Sequence, residues 1–220
     1  LLRVFIGYDK RESVAASVLA YSIHKRCSIP VSITFLDKEQ IPQFNRPHDP
    51  LASTAFTYAR FLVPWLCNYQ GKAIFIDCDM MALADIAPLM AYPEPGHAVT
   101  VVKHDYRPKN TAKFLGAVQT QYPRKLWSAL MIFDNEQCKA LTPEYINSAT
   151  GAQLHRFEWL KDEQIGEIPE CWQWIPNHSR GEPKIIHWTE GGPYFREYAS
   201  TDYAGTWKAE LAEMTQHDAD

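Results

Sequence analysis

Apolar and polar positions alternate along the chain in blocks that read as strands and helices. Val4-Phe5-Ile6 followed by Gly7-Tyr8-Asp9 predicts a strand over 3–7. Positions 12–25 predict a helix, with Val14, Val18 and Tyr21 on one face and Ala15, Leu19 and Ile23 on the adjoining one. Pro30 stops that segment and 31–36 predicts a second strand, completing a β-α-β opening. The polar stretch 37–53, with Pro42, Pro47 and Pro50, predicts a loop. A helix is expected over 54–66, capped by Ser53 or Thr54. A strand over 72–76 runs into Asp77, followed by a short helix over 84–91 and a strand over 97–102. Residues 105–124 predict a long loop over the site. Strands at 129–133 and 184–187 and a helix at 202–215 complete the pattern, and 151–181 gives no firm assignment. The alternation predicts an α/β fold, its opening typical of a parallel sheet covered by helices.

The 220 residues, without repeats or linkers, predict a single domain over 1–220. A net charge of -4 offers no general attraction to nucleic acid, and none is expected as a partner. Phe61 to Cys67, the densest apolar run, is too short to span a bilayer, so no transmembrane segment is expected. The opening Leu1-Leu2-Arg3 reads as a strand rather than a secretory leader. Five cysteines without a Cys-x-x-Cys suggest reduced thiols and a cytoplasmic protein, with peripheral association at the inner face of a membrane left open. The pattern is silent on oligomeric state.

Phe75-Ile76-Asp77-Cys78-Asp79 places two carboxylates at the end of an apolar strand, the edge where ligands gather in open α/β sheets. They can face one point along a continuing strand or through a turn, or be a strand-ending turn with solvated charges. Carboxylates this close call for a cation, and hard oxygen ligands suit Mn²⁺ or Mg²⁺. His187, after Lys184-Ile185-Ile186, is a third candidate ligand or a core histidine.

These residues resemble glycosyltransferase family 8, the group that includes glycogenin and bacterial galactosyltransferases, and more closely a bacterial branch of such proteins. The resemblance rests on Val4 to Glu12, Ser53 to Phe56, Tyr58-Ala59-Arg60-Phe61-Leu62-Val63-Pro64, Phe75 to Met80, Val102 to Tyr106, Tyr122 to Lys125, Trp159 to Glu163 and His187 to Phe195. It implies a GT-A fold with a Rossmann-like mixed sheet flanked by helices, a nucleotide-diphospho-sugar donor such as a UDP-sugar, a carbohydrate or other hydroxyl acceptor, and transfer with retention. On the same resemblance Asp77, Asp79 and His187 match the Mn²⁺ ligands. Tyr8 and Asp9 match the base-binding segment, Arg60 the contact to donor phosphate or sugar, and Asp105 a sugar-hydroxyl contact. Asp162 and Glu163 match the pair beside the reacting sugar.

The chain departs from the family pattern twice. Pro193 stands where a diphosphate-binding Lys is usual, leaving Gly191 and Gly192 to offer backbone N–H groups. Leu126 stands where an Asn is usual and cannot hydrogen-bond a sugar. These departures motivate a rival reading as a non-catalytic nucleotide-sugar-binding module. A haloacid-dehalogenase-type phosphatase is a weaker rival. Read plainly, Asp9 caps the next helix, Tyr8 is a core-edge ring, Arg60 pairs with a carboxylate, Asp105 sits in a turn and Asp162-Glu163 opens a solvated helix.

Overall fold

The computed structural model describes residues 1–47, 49–50, 52–107, 114–116 and 122–216. β1 (Leu2–Gly7) passes through a 3₁₀ turn into α1 (Ser13–Arg26) and returns as β2 (Val31–Leu36), parallel to β1. The expected β-α-β opening is present. The buried face of α1 includes Ala15, Val18, Leu19, Ser22 and Ile23, spaced as helical periodicity requires. Ser22 is satisfied there, donating to Leu19 O (2.8 Å) and accepting from Ala82 N (3.0 Å).

The helix expected over 54–66 is a correction. Residues 54–58 turn, Ala59–Leu62 form a 3₁₀ turn, and only α2 (Val63–Leu66) is α-helical. One local fact explains this. Pro64 has no N–H to give to the carbonyl one turn earlier. The helix expected over 84–91 is likewise only a 3₁₀ turn, Ala87–Ala91.

The chain continues through β3 (Lys72–Ile76), β4 (Met80–Ala82), β5 (Val99–Val101), β6 (Leu130–Asp134), α3 (Pro143–Ser148), α4 (Gly151–His155), β7 (Ile165–Glu167), β8 (Ile185–His187) and α5 (Ala204–Thr215). Six strands form a mixed sheet in the order β2-β1-β3-β6-β5-β7. β3 runs parallel to β1 and antiparallel to β6, and β5 pairs antiparallel with β6 and parallel with β7. β4 and β8 form a separate antiparallel pair with Met80 opposite His187. The pattern did not foretell β4, which follows directly on the acid turn, or β7, which lies in the stretch given no firm assignment.

β3 is the centre of the core. Ala73, Ile74, Phe75 and Ile76 are all buried, and burying one such large side chain is worth about 1.5–3 kcal/mol. α5 is fastened to α1 by a bidentate pair between Arg26 and Glu210, at 2.5 and 2.8 Å. Trp207 of α5 joins Val18, Met81, Ile186 and Trp188 in a second apolar cluster beneath the β4–β8 pair. Among the described residues no helix is long and apolar enough to cross a membrane. All five cysteines are free, with Cys67, Cys78 and Cys138 buried.

Candidate active site

The strand ending at Ile76 delivers the acidic pair through a turn, so the two carboxylates converge rather than alternate along an extended strand. Asp77 N donates to Ala129 O (2.9 Å), which holds the exit of β3 against β6. β4 starts immediately afterwards, and its pairing with β8 decides where the downstream histidine lands. Met80 opposite His187, with Trp188 N donating to Asp79 O (3.0 Å), brings the imidazole to the acid turn. His187 Nε2 lies 3.3 Å from Asp79 Oδ1, and both side chains are almost fully buried. One ligand atom from each of Asp77, Asp79 and His187 lies within 4.8 Å of the others.

This donor set fits a divalent cation. Donors held at about 2.1 Å on one ion stand roughly 3–3.5 Å apart, close to the Asp79–His187 separation. Two carboxylates with one imidazole suit Mn²⁺ or Mg²⁺ better than a soft metal.

Arg60 completes the electrostatics. Its Nη1 lies 2.9 Å from Asp77 Oδ1 and donates to Ser128 O (2.8 Å), while its Nε donates to Thr57 O (3.1 Å). The guanidinium sits 5.2 and 5.0 Å from the Phe56 and Phe75 ring centroids. Arg60 therefore neutralises an aspartate of the candidate metal centre from a buried position. It is not held out towards solvent.

A cleft of about 480 Å³ opens over this centre, a size that suits a nucleotide-scale ligand. Asp77, Asp79, His187 and Arg60 line it, together with Tyr122, Lys125, His155 and Arg156. Tyr122 and Lys125 belong to a run that carried the resemblance but were assigned no role from the sequence, and His155 and Arg156 were not singled out. Lys125 follows the quoted Tyr122-Pro123-Arg124 run, and a basic cluster beside a donor motif was the available signal. Lys125 is buried, with its ammonium 4.8 Å from the Tyr122 ring centroid. His155 is enclosed, and burial, reinforced by the Arg60 charge, pushes its pKa down to about 3. Its Nδ1 lies 2.8 Å from Ser128 Oγ. Burial raises the Tyr122 phenol as well. Cys78 points inward 3.4 Å from Glu12 Oε2, and burial pushes its thiol well above the ordinary range. It is a packing residue, not a nucleophile.

The remaining expected site residues are placed elsewhere. Tyr8 is half-buried, its ring 5.8 Å from that of Phe35. Asp9 is buried and caps the next 3₁₀ turn, accepting from Arg11 N (3.0 Å) and Ala55 N (2.9 Å) and pairing with Arg11 Nη2 (2.6 Å). Burial works against its charge, but these hydrogen bonds and the Arg11 cation hold its pKa below the usual carboxylate value. It lines a neighbouring cavity with Arg46 and Tyr58.

Three groups of expected residues lie away from the cleft lining. Asp105 is exposed, 3.5 Å from Arg107, and lines the cavity shared with His104 and Glu170 rather than the cleft. Asp162 and Glu163 are exposed on a 3₁₀ turn (Asp162–Gln164), with Asp162 held outward by Arg124 at 2.6 Å, so neither lines the cleft. Gly191 and Gly192 are buried against rings, where an added Cβ would fall 2.4 Å from Tyr198 and 2.2 Å from Tyr194. The Gly191 N–H is already given to Trp188 O (2.9 Å), so it is not offered to a phosphate. Leu126 does line the cleft, as a left-handed residue (φ 68°). Of the loop expected over the site, 108–113 and 117–121 lie outside the described residues.

Comparison with known proteins agrees with this construction. The fold is similar to that of the galactosyltransferase LgtC in complex with donor and acceptor sugar analogs, with a TM-score of 0.65 at 10% identity over 99% of this chain and 98% of that one. It is also similar to the bifunctional glycosyltransferase WbbM (TM-score 0.63, 18% identity), covering 96% of this chain but only 49% of that one. The architecture is thus of the GT-A glycosyltransferase type. The model described as "Glycosyl transferase family 8" matches residues 21–142. Protein CDI of Arabidopsis thaliana is 43% identical over 226 residues, spanning 97% of this chain and 87% of the relative. The chain belongs to glycosyltransferase family 8. The expected likeness to bacterial members is not the one this relative carries, since it comes from a plant.

Proposed function

We propose that the chain transfers a sugar from a nucleotide-diphospho-sugar, a UDP-sugar, to a hydroxyl acceptor, with retention at the anomeric carbon and dependence on Mn²⁺. The observation that carries this is the convergence of Asp77, Asp79 and His187 within 4.8 Å at the floor of the cleft. Those three residues would hold the ion, whose chemistry is to neutralise the charge growing on a departing diphosphate. Family membership supports the donor class, the metal and the stereochemical outcome.

The chain's own residues do the rest. Arg60 pairs with Asp77 at 2.9 Å and fixes the orientation of its carboxylate. Lys125 and Arg156 line the cleft and supply the positive charge that Pro193 removes from the usual place. Both can meet phosphate oxygens without a contribution from Gly191 or Gly192. Buried, neutral His155 positions Ser128 beside the cleft and adds no competing charge.

The rival reading, a non-catalytic nucleotide-sugar-binding module, has one observation in its favour: the exposed Asp162 and Glu163 leave no acid of that pair in the cleft. The test is a panel of nucleotide-sugars scored for thermal shift and donor hydrolysis, with and without Mn²⁺, on wild type and Asp79→Asn. Transfer predicts metal-dependent stabilisation and slow donor hydrolysis in wild type alone. Metal-dependent stabilisation without any sugar release supports the binding module. Equal shifts in both proteins remove the assignment.

A further inference from the structure

A second group of possible ligands lies outside the cleft. His104 follows β5, Glu170 stands on the 3₁₀ turn Glu170–Gln173, and His178 lies in the turn beyond it. One ligand atom from each lies within 4.8 Å of the other two. All three line a separate cavity of about 250 Å³.

The His104 ring is prepared for a ligand on one side. Its side chain is 1% exposed, and its Nε2 lies 2.8 Å from Gln173 O. A carbonyl oxygen only accepts, so Nε2 carries the hydrogen. In the neutral ring, Nδ1 then presents a lone pair. That atom faces Glu170 Oε1 at 3.9 Å, too far for a hydrogen bond between them. A backbone carbonyl fixing the far nitrogen is the arrangement that orients metal-binding histidines. The Glu170 carboxylate is itself steadied by the Ser179 hydroxyl, which donates to Oε1. The His178 ring sits edge-on to His104 with centroids 6.1 Å apart. Lys103, a cation on the same cavity, has its ammonium drawn over the Trp127 ring at 5.8 Å.

We propose that His104, Glu170 and His178 form a second divalent-metal site, selective for Zn²⁺ and distinct from the Asp77–Asp79–His187 centre. Two imidazoles and one carboxylate are a zinc donor set, with the fourth position left to water. The two carboxylates of the first centre favour harder ions. Inward movement of the exposed Glu170 and His178 side chains, whose donors already lie within 4.8 Å of each other and of His104, would bring the three to the spacing of one coordination sphere. The site would brace the segment carrying Gln173. The amide nitrogen of Gln173 donates to Leu126 O (2.9 Å) and lies 3.4 Å from His187 Nδ1. Zinc here would therefore stiffen the backing of the first centre's histidine.

The experiment is Zn²⁺ titration of the metal-stripped full chain by calorimetry, with Co²⁺ ligand-field spectra as the coordination readout. The exposed residues are varied, as His178→Ala and Glu170→Gln, because His104→Ala risks the fold. The expected result is a Zn²⁺ site retained in Asp79→Asn and weakened at least roughly tenfold in each of the other two variants. Loss of the Co²⁺ spectrum should follow the same pattern. Absence of Zn²⁺ binding by wild type overturns the proposal. So does Zn²⁺ affinity that is unchanged in His178→Ala and Glu170→Gln, or that disappears in Asp79→Asn.

Discussion

Replacing Arg60 by methionine tests the electrostatic design of the acid turn. The side chain is 7% exposed and its partner Asp77 is 13% exposed, so water screens their 2.9 Å ion pair only slightly. Methionine fills much of the same space but withdraws the cation, the donors to Ser128 O and Thr57 O, and the charge over two phenyl rings. Breaking one side of a buried pair costs about 3–5 kcal/mol, because a charge is left in a poorly solvated place. For a chain of this size each kcal/mol lowers Tm by about 2–4 °C, so the metal-stripped variant should melt about 6–20 °C below wild type. Mn²⁺ should then recover part of the loss. Bound between Asp77 and Asp79, it replaces the missing charge, and its stabilisation of the variant should exceed that of wild type. Differential scanning fluorimetry of both proteins in chelator and in saturating Mn²⁺ measures both quantities. A Tm within about 2 °C of wild type in chelator would falsify the buried-pair reasoning. Identical Mn²⁺ increments in the two proteins would refute the idea that Arg60 and the metal share Asp77.

Lys125→Met should leave the fold intact and weaken donor diphosphate binding roughly 10- to 100-fold, the loss of one charged hydrogen bond worth about 1.5–3 kcal/mol; titration with UDP in Mn²⁺ measures it. Gly7→Ala should destabilise by about 1–3 kcal/mol, since the new Cβ would fall 2.4 Å from the Phe56 ring, and urea unfolding gives the value. The depressed pKa of His155 means the fold favours the neutral ring. Its contribution is complete above the unfolded value of 6.5 and declines as pH falls towards about 3. Stability of wild type should therefore drop below pH 6.5 more steeply than that of His155→Asn, and parallel curves would contradict the burial argument. Asp9 also has a lowered pKa, so its stabilisation is present above the unfolded 3.8 and is lost as pH falls below it. The Tm gap between wild type and Asp9→Asn should be open at pH 7 and narrow as pH falls below 3.8.

What the sequence determined by itself is local. The alternation of apolar and polar residues placed β1, α1, β2, β3 and α5, because each element's period is written in consecutive residues. The end of β3 pointed to Asp77 and Asp79, because two carboxylates there stand at the sheet edge where ligands gather. Pro64 already contained the reason that the 54–66 segment could not be one regular helix, though helical spacing obscured it. Tertiary structure alone decided three things. It brought His187 to Asp79, through the three-residue pairing of β4 with β8, a partnership between segments about a hundred residues apart that neither segment records. It assembled Lys125, His155 and Arg156 on one cleft from separate segments. It also turned Asp105, Asp162 and Glu163 to solvent and packed Gly191 and Gly192 against tyrosine rings. A motif records which groups a segment carries. Their direction is set by strand pairing, burial and the nearest opposite charge, none of which is encoded within the segment itself.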